Sequence, residues 1–230
     1  MPTHETTQEI VQKILGDDFS SVENALRLFP TLNYPRGHKE NMATVPYSAS
    51  FLKQRKGSLV IVPGFNRLSG DIFSLRTLDG MFFTEKSKPH ISHHNRHFNA
   101  LTFPEHQLWS GTENFFSSNT ANLRWYAISK QPKAPCRHIS IFEQDAIMKP
   151  GRVRENAFVY TWAAWLHFLQ TGEFLWSAFS IWTSDVLPDG RRVAIGGWES
   201  SSKPIWTLVP TDPDRNLCPK TVPSYRSNIF

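Results

Sequence analysis

Two cysteines, Cys136 and Cys218, stand far apart in 230 residues, each beside a proline. Such scarcity excludes a disulfide framework and a Cys-x-x-Cys metal knuckle, and it makes a reducing cytoplasm the expected compartment. The opening residues, Met-Pro-Thr-His-Glu-Thr-Thr-Gln-Glu, hold neither a basic cluster nor an apolar run, so no secretory signal is expected. Long apolar runs are missing too. The most apolar stretch, Ala157 to Trp182, is cut by His167 and by Gln170-Thr171-Gly172-Glu173. Each piece is shorter than the roughly 20 residues of a membrane span, so the stretch reads as a buried helix followed by a buried strand or second helix.

Catalytic and cofactor signatures are also lacking. There is no Gly-x-x-x-x-Gly-Lys-Ser/Thr loop, no Gly-x-Gly-x-x-Gly, no Gly-x-Ser-x-Gly elbow and no His-Glu-x-x-His. Val62 to Gly70 carries two glycines, but Pro63 and Phe65 make it an ordinary turn. Asp17-Asp18 and Glu143-x-Asp145 are the nearest approach to paired carboxylates, and neither brings the partners of a two-metal nuclease. No repeat or low-complexity tract is visible, and no cofactor is expected.

What the chain does contain is material for a core: 40% hydrophobic residues, with 17 Phe, 8 Trp and 5 Tyr, against 20% charged. That balance is globular rather than disordered. The formal charge of +5 and pI near 9.3 favour anionic partners, yet the basic residues are scattered rather than blocked.

Capping-box spacing at Thr6-x-x-Glu9 and Ser20-x-x-Glu23 predicts two short helices, ending at Gly16 and before Pro30, as a small hairpin. Residues 31–57, with Pro35, Gly37 and Pro46 among Arg36, His38, Lys39, Lys53, Arg55 and Lys56, read as a basic extended connection. Ser58 to Val62 reads as a buried strand. Ile72 to Leu78, Asp79-Gly80 and Met81 to Thr84 read as a type I′ hairpin. Further strands are expected at Leu123 to Ser129, His138 to Phe142, Arg192 to Ile195 and Pro204 to Val209, with a turn at Leu187-Pro188-Asp189-Gly190. Arg154 to Gln170 is the one long helix, with Phe158, Trp162, Trp165 and Leu169 at helical spacing and Gly172 as its stop. The whole is an α+β protein, mainly antiparallel sheet with one long buried helix. Its expected organisation is a helical appendage (1–30), a connection (31–57), a core domain (58–209) and a proline-rich tail (210–230).

The densest chemistry is Lys86-Ser87-Lys88-Pro89-His90-Ile91-Ser92-His93-His94-Asn95-Arg96-His97. As a helix it would put His90 with His94, and His93 with His97, one turn apart, the separation at which two imidazoles share a metal; His106, Glu105, His138 and His167 are the candidate third ligands. The metal reading is therefore His93, His97 and His106. With Lys86, Lys88 and Arg96 holding a phosphodiester, His93, His94 and His97 with a remote His138 could instead act as base and acid of a metal-free or metal-assisted hydrolase. The third reading is a solvated polar loop that binds a partner. Arg124-Trp125-Tyr126 is a candidate base-stacking face, and Trp198, beside Gly196-Gly197, and Trp206 are candidate exposed contact aromatics. Trp162, Trp165, Trp176 and Trp182 are expected in the core, with His167 or Glu173 as indole partners.

Together these features point to a binding or accessory protein, an inhibitor among the options. It would contact a macromolecular partner, protein or protein with nucleic acid, through Lys86, Lys88, His90, His93, His94, Arg96, His97, Arg124, Trp125 and Trp198. Nucleic-acid contact would be non-specific and electrostatic. The rival is the nuclease-like enzyme.

Overall fold

The computed structural model describes residues 5–33, 38–78, 113–131, 140–148, 152–173, 175–176, 180–188, 190–200, 203–211 and 224–225. At the N-terminus a two-residue strand β1 (Thr6–Thr7) leads into α1 (Gln8–Leu15), a 3₁₀ turn (Gly16–Asp18) and α2 (Val22–Leu28). Val11, Ile14 and Leu15 are the buried side of α1, and Gly16 ends it at a φ of 59° that a side chain would resist. Next come α3 (His38–Asn41), β2 (Thr44–Val45) and α4 (Ala49–Arg55). Strands β1 and β2 pair antiparallel, α1 packs on α4, and α2 rests on the strand that follows.

That strand, β3 (Leu59–Pro63), precedes the short pair β4 (Arg67–Leu68) and β5 (Asp71–Ile72), a helical turn at 75–78, and α5 (Glu113–Ser118). It pairs antiparallel with β6 (Trp125–Ser129), Leu59 opposite Ser129 and Pro63 opposite Trp125. Alternation gives this sheet two buried faces. Leu59, Ile61, Trp125 and Ala127 meet Val11, Ile14, Met42, Tyr47 and Leu52 on one side. Val60, Val62, Tyr126 and Ile128 meet the main core on the other.

That core is organised by the long helix. After α6 (Ile141–Ile147) and β7 (Arg152–Val153), α7 (Ala157–Thr171) is buried at every residue from Ala157 to Phe168. It has no polar face because its far side is covered as well. Strands β8 (Ser180–Val186), β9 (Arg192–Ser200) and β10 (Lys203–Thr211) form an antiparallel meander, whose Ile181, Val193 and Ile195 join the α7 core. Trp182 and Ala194 face the opposite way, onto Ile141 of α6. The last strand, β11 (Ser224–Tyr225), enters the first sheet, giving the order β3-β6-β11-β7. The layers run from α1 and α4 through the four-stranded sheet, α7 and the three-stranded sheet to α6. The class is mixed α+β, as expected.

Several local expectations are corrected. Thr6 does not cap a helix: it is in β1 and donates its hydroxyl to the Tyr47 carbonyl at 2.6 Å, while Ser21 rather than Ser20 caps α2 by accepting from Asn24 N–H. Residues 31–57 are not an extended connection, because Met42, Val45, Tyr47 and Leu52 are apolar enough to bury α4 and β2 against the sheet. The strand proposed at Ile72 to Leu78 breaks after Ile72. Ser74 N–H donates to Thr77 Oγ1 at 2.7 Å and Leu78 N–H to Ser74 O at 2.9 Å, so local side-chain bonding winds a helical turn there. The remainder of that hairpin, 79–84, lies outside the described residues. A strand through Phe142 is overruled by the capping box of Ser140 and Glu143, which starts α6. The C-terminal stretch is not wholly a surface tail, since Tyr225 pairs with Ala127 and Arg152 and fills the gap between β6 and β7. Trp162 and Trp182 are fully buried and Trp165 and Trp176 nearly so, as their hydropathy requires. The indole partners are backbone carbonyls, Pro63 O for Trp162 at 2.7 Å and Ser129 O for Trp176 at 3.1 Å, not His167 or Glu173.

Candidate functional site

The histidine-bearing stretch belongs to residues 79–112, which lie outside the described residues, and so do His138 and Cys136. The points from which 79–112 leaves and to which it returns are described. On the departing side Phe73, Leu75 and Leu78 are buried. On the returning side α5 is followed by Thr120, whose backbone bridges antiparallel to Ser74 and whose hydroxyl donates to Phe73 O at 2.6 Å. The two described flanks are therefore pinned to each other at Ser74 and Thr120.

The same knot is tied to α7. Asn156 caps that helix by accepting from Val159 N–H, and its amide donates to Thr120 O at 2.8 Å. Asp185 of β8 accepts from Ala157 N–H at 2.6 Å through one oxygen and from Asn119 at 2.9 Å through the other. Burial pushes the Asp185 carboxyl above the usual aspartate range, and these donors pull it partly back. Asp185 is thus a fastening between β8, α5 and the start of α7. Sequence reading missed it, since nothing local in Thr183-Ser184-Asp185 announces a helix start 28 positions earlier.

Arg124 and Trp125 do not form a stacking face. Trp125 is 3% exposed, on the α1 and α4 side of the sheet, in contact with Phe19 at 5.4 Å between ring centroids. Arg124 binds both oxygens of Glu155, at 2.8 and 3.0 Å, and lies 4.6 Å from the centroid of the Tyr126 ring. The alternation of a doubly buried sheet puts both aromatic residues inward, and the charge is used to satisfy a buried carboxylate. Trp198 sits in β9, paired in register with Ile205 of β10.

A second ion pair joins the 3₁₀ turn to the residue after β6, with His167 of α7 beside it. Lys130 Nζ holds Asp18 Oδ1 at 2.6 Å, and His167 Nδ1 stands 4.0 Å from the same oxygen. Beside it, Gln170 donates to Phe19 O at 3.0 Å and accepts from Asn24 at 3.1 Å. On the surface nearby, a cleft of about 660 Å³ opens between α1 and α2, lined by Gln8, Glu9, Gln12, Phe19, Ser21, Val22, Glu23, Leu26 and Met42. Gln8 is spent bridging its walls, donating to Met42 O and accepting from Val22 N–H.

Chemically, the described polar groups fasten elements together. Among the described residues no group of three or more His, Cys, Asp or Glu is placed to hold a metal ion, and no helix is long and apolar enough to cross a membrane. No family model, no curated protein and no solved structure matches this chain.

Proposed function

We propose that this protein works by binding, as a cytoplasmic accessory or inhibitory factor that engages an acidic macromolecular partner through Lys86, Lys88, His90, His93, His94, Arg96 and His97. The observation that supports this reading is the fastening of the described residues that flank 79–112. Ser74 and Thr120 are bridged, and Thr120 and Asn119 are tied through Asn156 and Asp185 to the start of the most buried helix in the fold. Flanks fixed on a packed scaffold suit a contact segment, because the body then bears the folding cost and the segment between them is left to carry recognition. The cationic composition of 86–97 sets the sign of the partner.

The test is titration of the whole protein with a poly-glutamate peptide at pH values on either side of about 6.5, where a free imidazole takes up its proton. Affinity rises on the acid side, weakens with salt, and falls when His93, His94 and His97 are replaced together by Ala, with melting temperature unchanged. Peptide binding that ignores both pH and the triple substitution contradicts the proposal. So does tighter, base-selective binding of a single-stranded oligonucleotide at high salt.

A further inference from the structure

His167 is a buried imidazole in want of partners. Its side chain is 3% exposed, and neither ring nitrogen has a hydrogen-bond partner among the described residues. A buried ring normally has at least one nitrogen satisfied, and leaving both bare costs stability that an apolar residue would not. The groups that face it come from three elements. Asp17 and Asp18 belong to the 3₁₀ turn, Lys130 follows β6, and Glu173 lies just beyond the end of α7. The nearest acid, Asp18, is already held by Lys130 at 2.6 Å, so its charge is committed before the imidazole can use it.

We propose that the Asp18–Lys130–His167 junction is an acid-sensitive latch that fastens the 3₁₀ turn and α2 to α7. In the closed form the ring is neutral and packs as an apolar body. A proton on the 3% exposed ring would place a second cation beside Lys130, and Asp18 at 4.0 Å is the closest carboxylate to answer it. The proton is taken up more readily when the junction opens and water reaches the ring. Opening also gives up the neighbouring bonds from Gln170 to Phe19 O and from Asn24 to Gln170. Burial first, and Lys130 second, hold the His167 pKa below the ordinary imidazole value. A depressed folded-state value means that the open form binds the proton better. The latch therefore contributes fully above about pH 6.5 and is lost as pH falls through the folded value.

The experiment is amide hydrogen exchange on the full chain, corrected for intrinsic rates, above and below pH ~6.5. Wild-type protein loses protection across residues 16–28 on the acid side while α7 stays protected. His167→Phe, which fills the same space without a titrating group, keeps protection at both pH values. An equal acid response in His167→Phe, or no acid response in the wild type, overturns the latch. Should the variant not fold, NMR titration of the His167 ring in the wild type decides. A midpoint below about 6.5 that coincides with the loss of protection across residues 16–28 upholds the latch, and one above it, or one at which that protection does not change, refutes it. The outcome is separable from the partner-binding test, because His167→Phe leaves residues 86–97 intact and the triple histidine variant leaves His167 in place.

Discussion

At the exit of β3, Gly64 has room for no side chain. A Cβ there would lie 2.2 Å from Asn122 O and 2.4 Å from the Tyr126 ring. Both obstacles are fixed, because Tyr126 is buried and its hydroxyl accepts from Asn122 N–H at 2.8 Å. Gly64→Ala is expected to lower unfolding free energy by at least the ~1–3 kcal/mol of an overpacked core, read by urea titration. Nearby, Trp162 packs on Phe29, Phe65 and Phe73 and donates to Pro63 O. Trp162→Ala is expected to cost about 3–5 kcal/mol. The hydrogen bond's own net share is smaller, about 1 kcal/mol. Burial of this residue was legible in the spacing of Phe158, Trp162 and Trp165. Its carbonyl partner was not, since Pro63 lies 99 positions away and only the packing of α7 on β3 brings them together. The same holds for Arg124: a cation beside two aromatics looks like a binding face until Glu155 is seen to take it up.

Among the elements, those with a strong local pattern emerge close to where the sequence puts them: α7, expected over Arg154 to Gln170, runs Ala157–Thr171 and stops at Gly172, and β3, β6 and the turn that Gly190 N–H closes on Leu187 O lie within a residue or two of expectation. Those that depart from expectation do so through competing side-chain bonds. Ser74 with Thr77, and Ser140 with Glu143, start helical turns in stretches whose apolar alternation suggested strand. Residues 31–57 were misread because their prolines and charges conceal single buried residues, Met42, Val45, Tyr47 and Leu52. The start of α7 offers a test at this scale. Asn156→Ala removes its cap and is expected to cost about 1 kcal/mol. Asp185→Ala leaves Ala157 N–H and the Asn119 amide short of an acceptor and is expected to cost about 1–3 kcal/mol. Combined, the two substitutions should fall short of or exceed their sum, because both act on one helix terminus and one tether. Thermal denaturation of the singles and the double measures that coupling.

For the whole molecule, the two sheets on either side of α7 explain why a helix can be buried around its full circumference from Ala157 to Phe168. The α+β class was readable because each layer needs its own periodicity. The stacking order was not, since it depends on pairings such as β11 with β6 and β7 that no local pattern encodes. On the proposed reading the layers are the scaffold and residues 79–112 carry recognition, between the described flanks that the Ser74–Thr120 bridge joins. The most direct measurement replaces 79–112 by a short Gly-Ser linker and follows melting temperature together with poly-glutamate affinity. Joining the two fastened flanks by a short linker changes the closure entropy only slightly, so melting should stay level or rise while binding disappears. A variant that keeps its affinity, or that no longer folds, would contradict this division of labour.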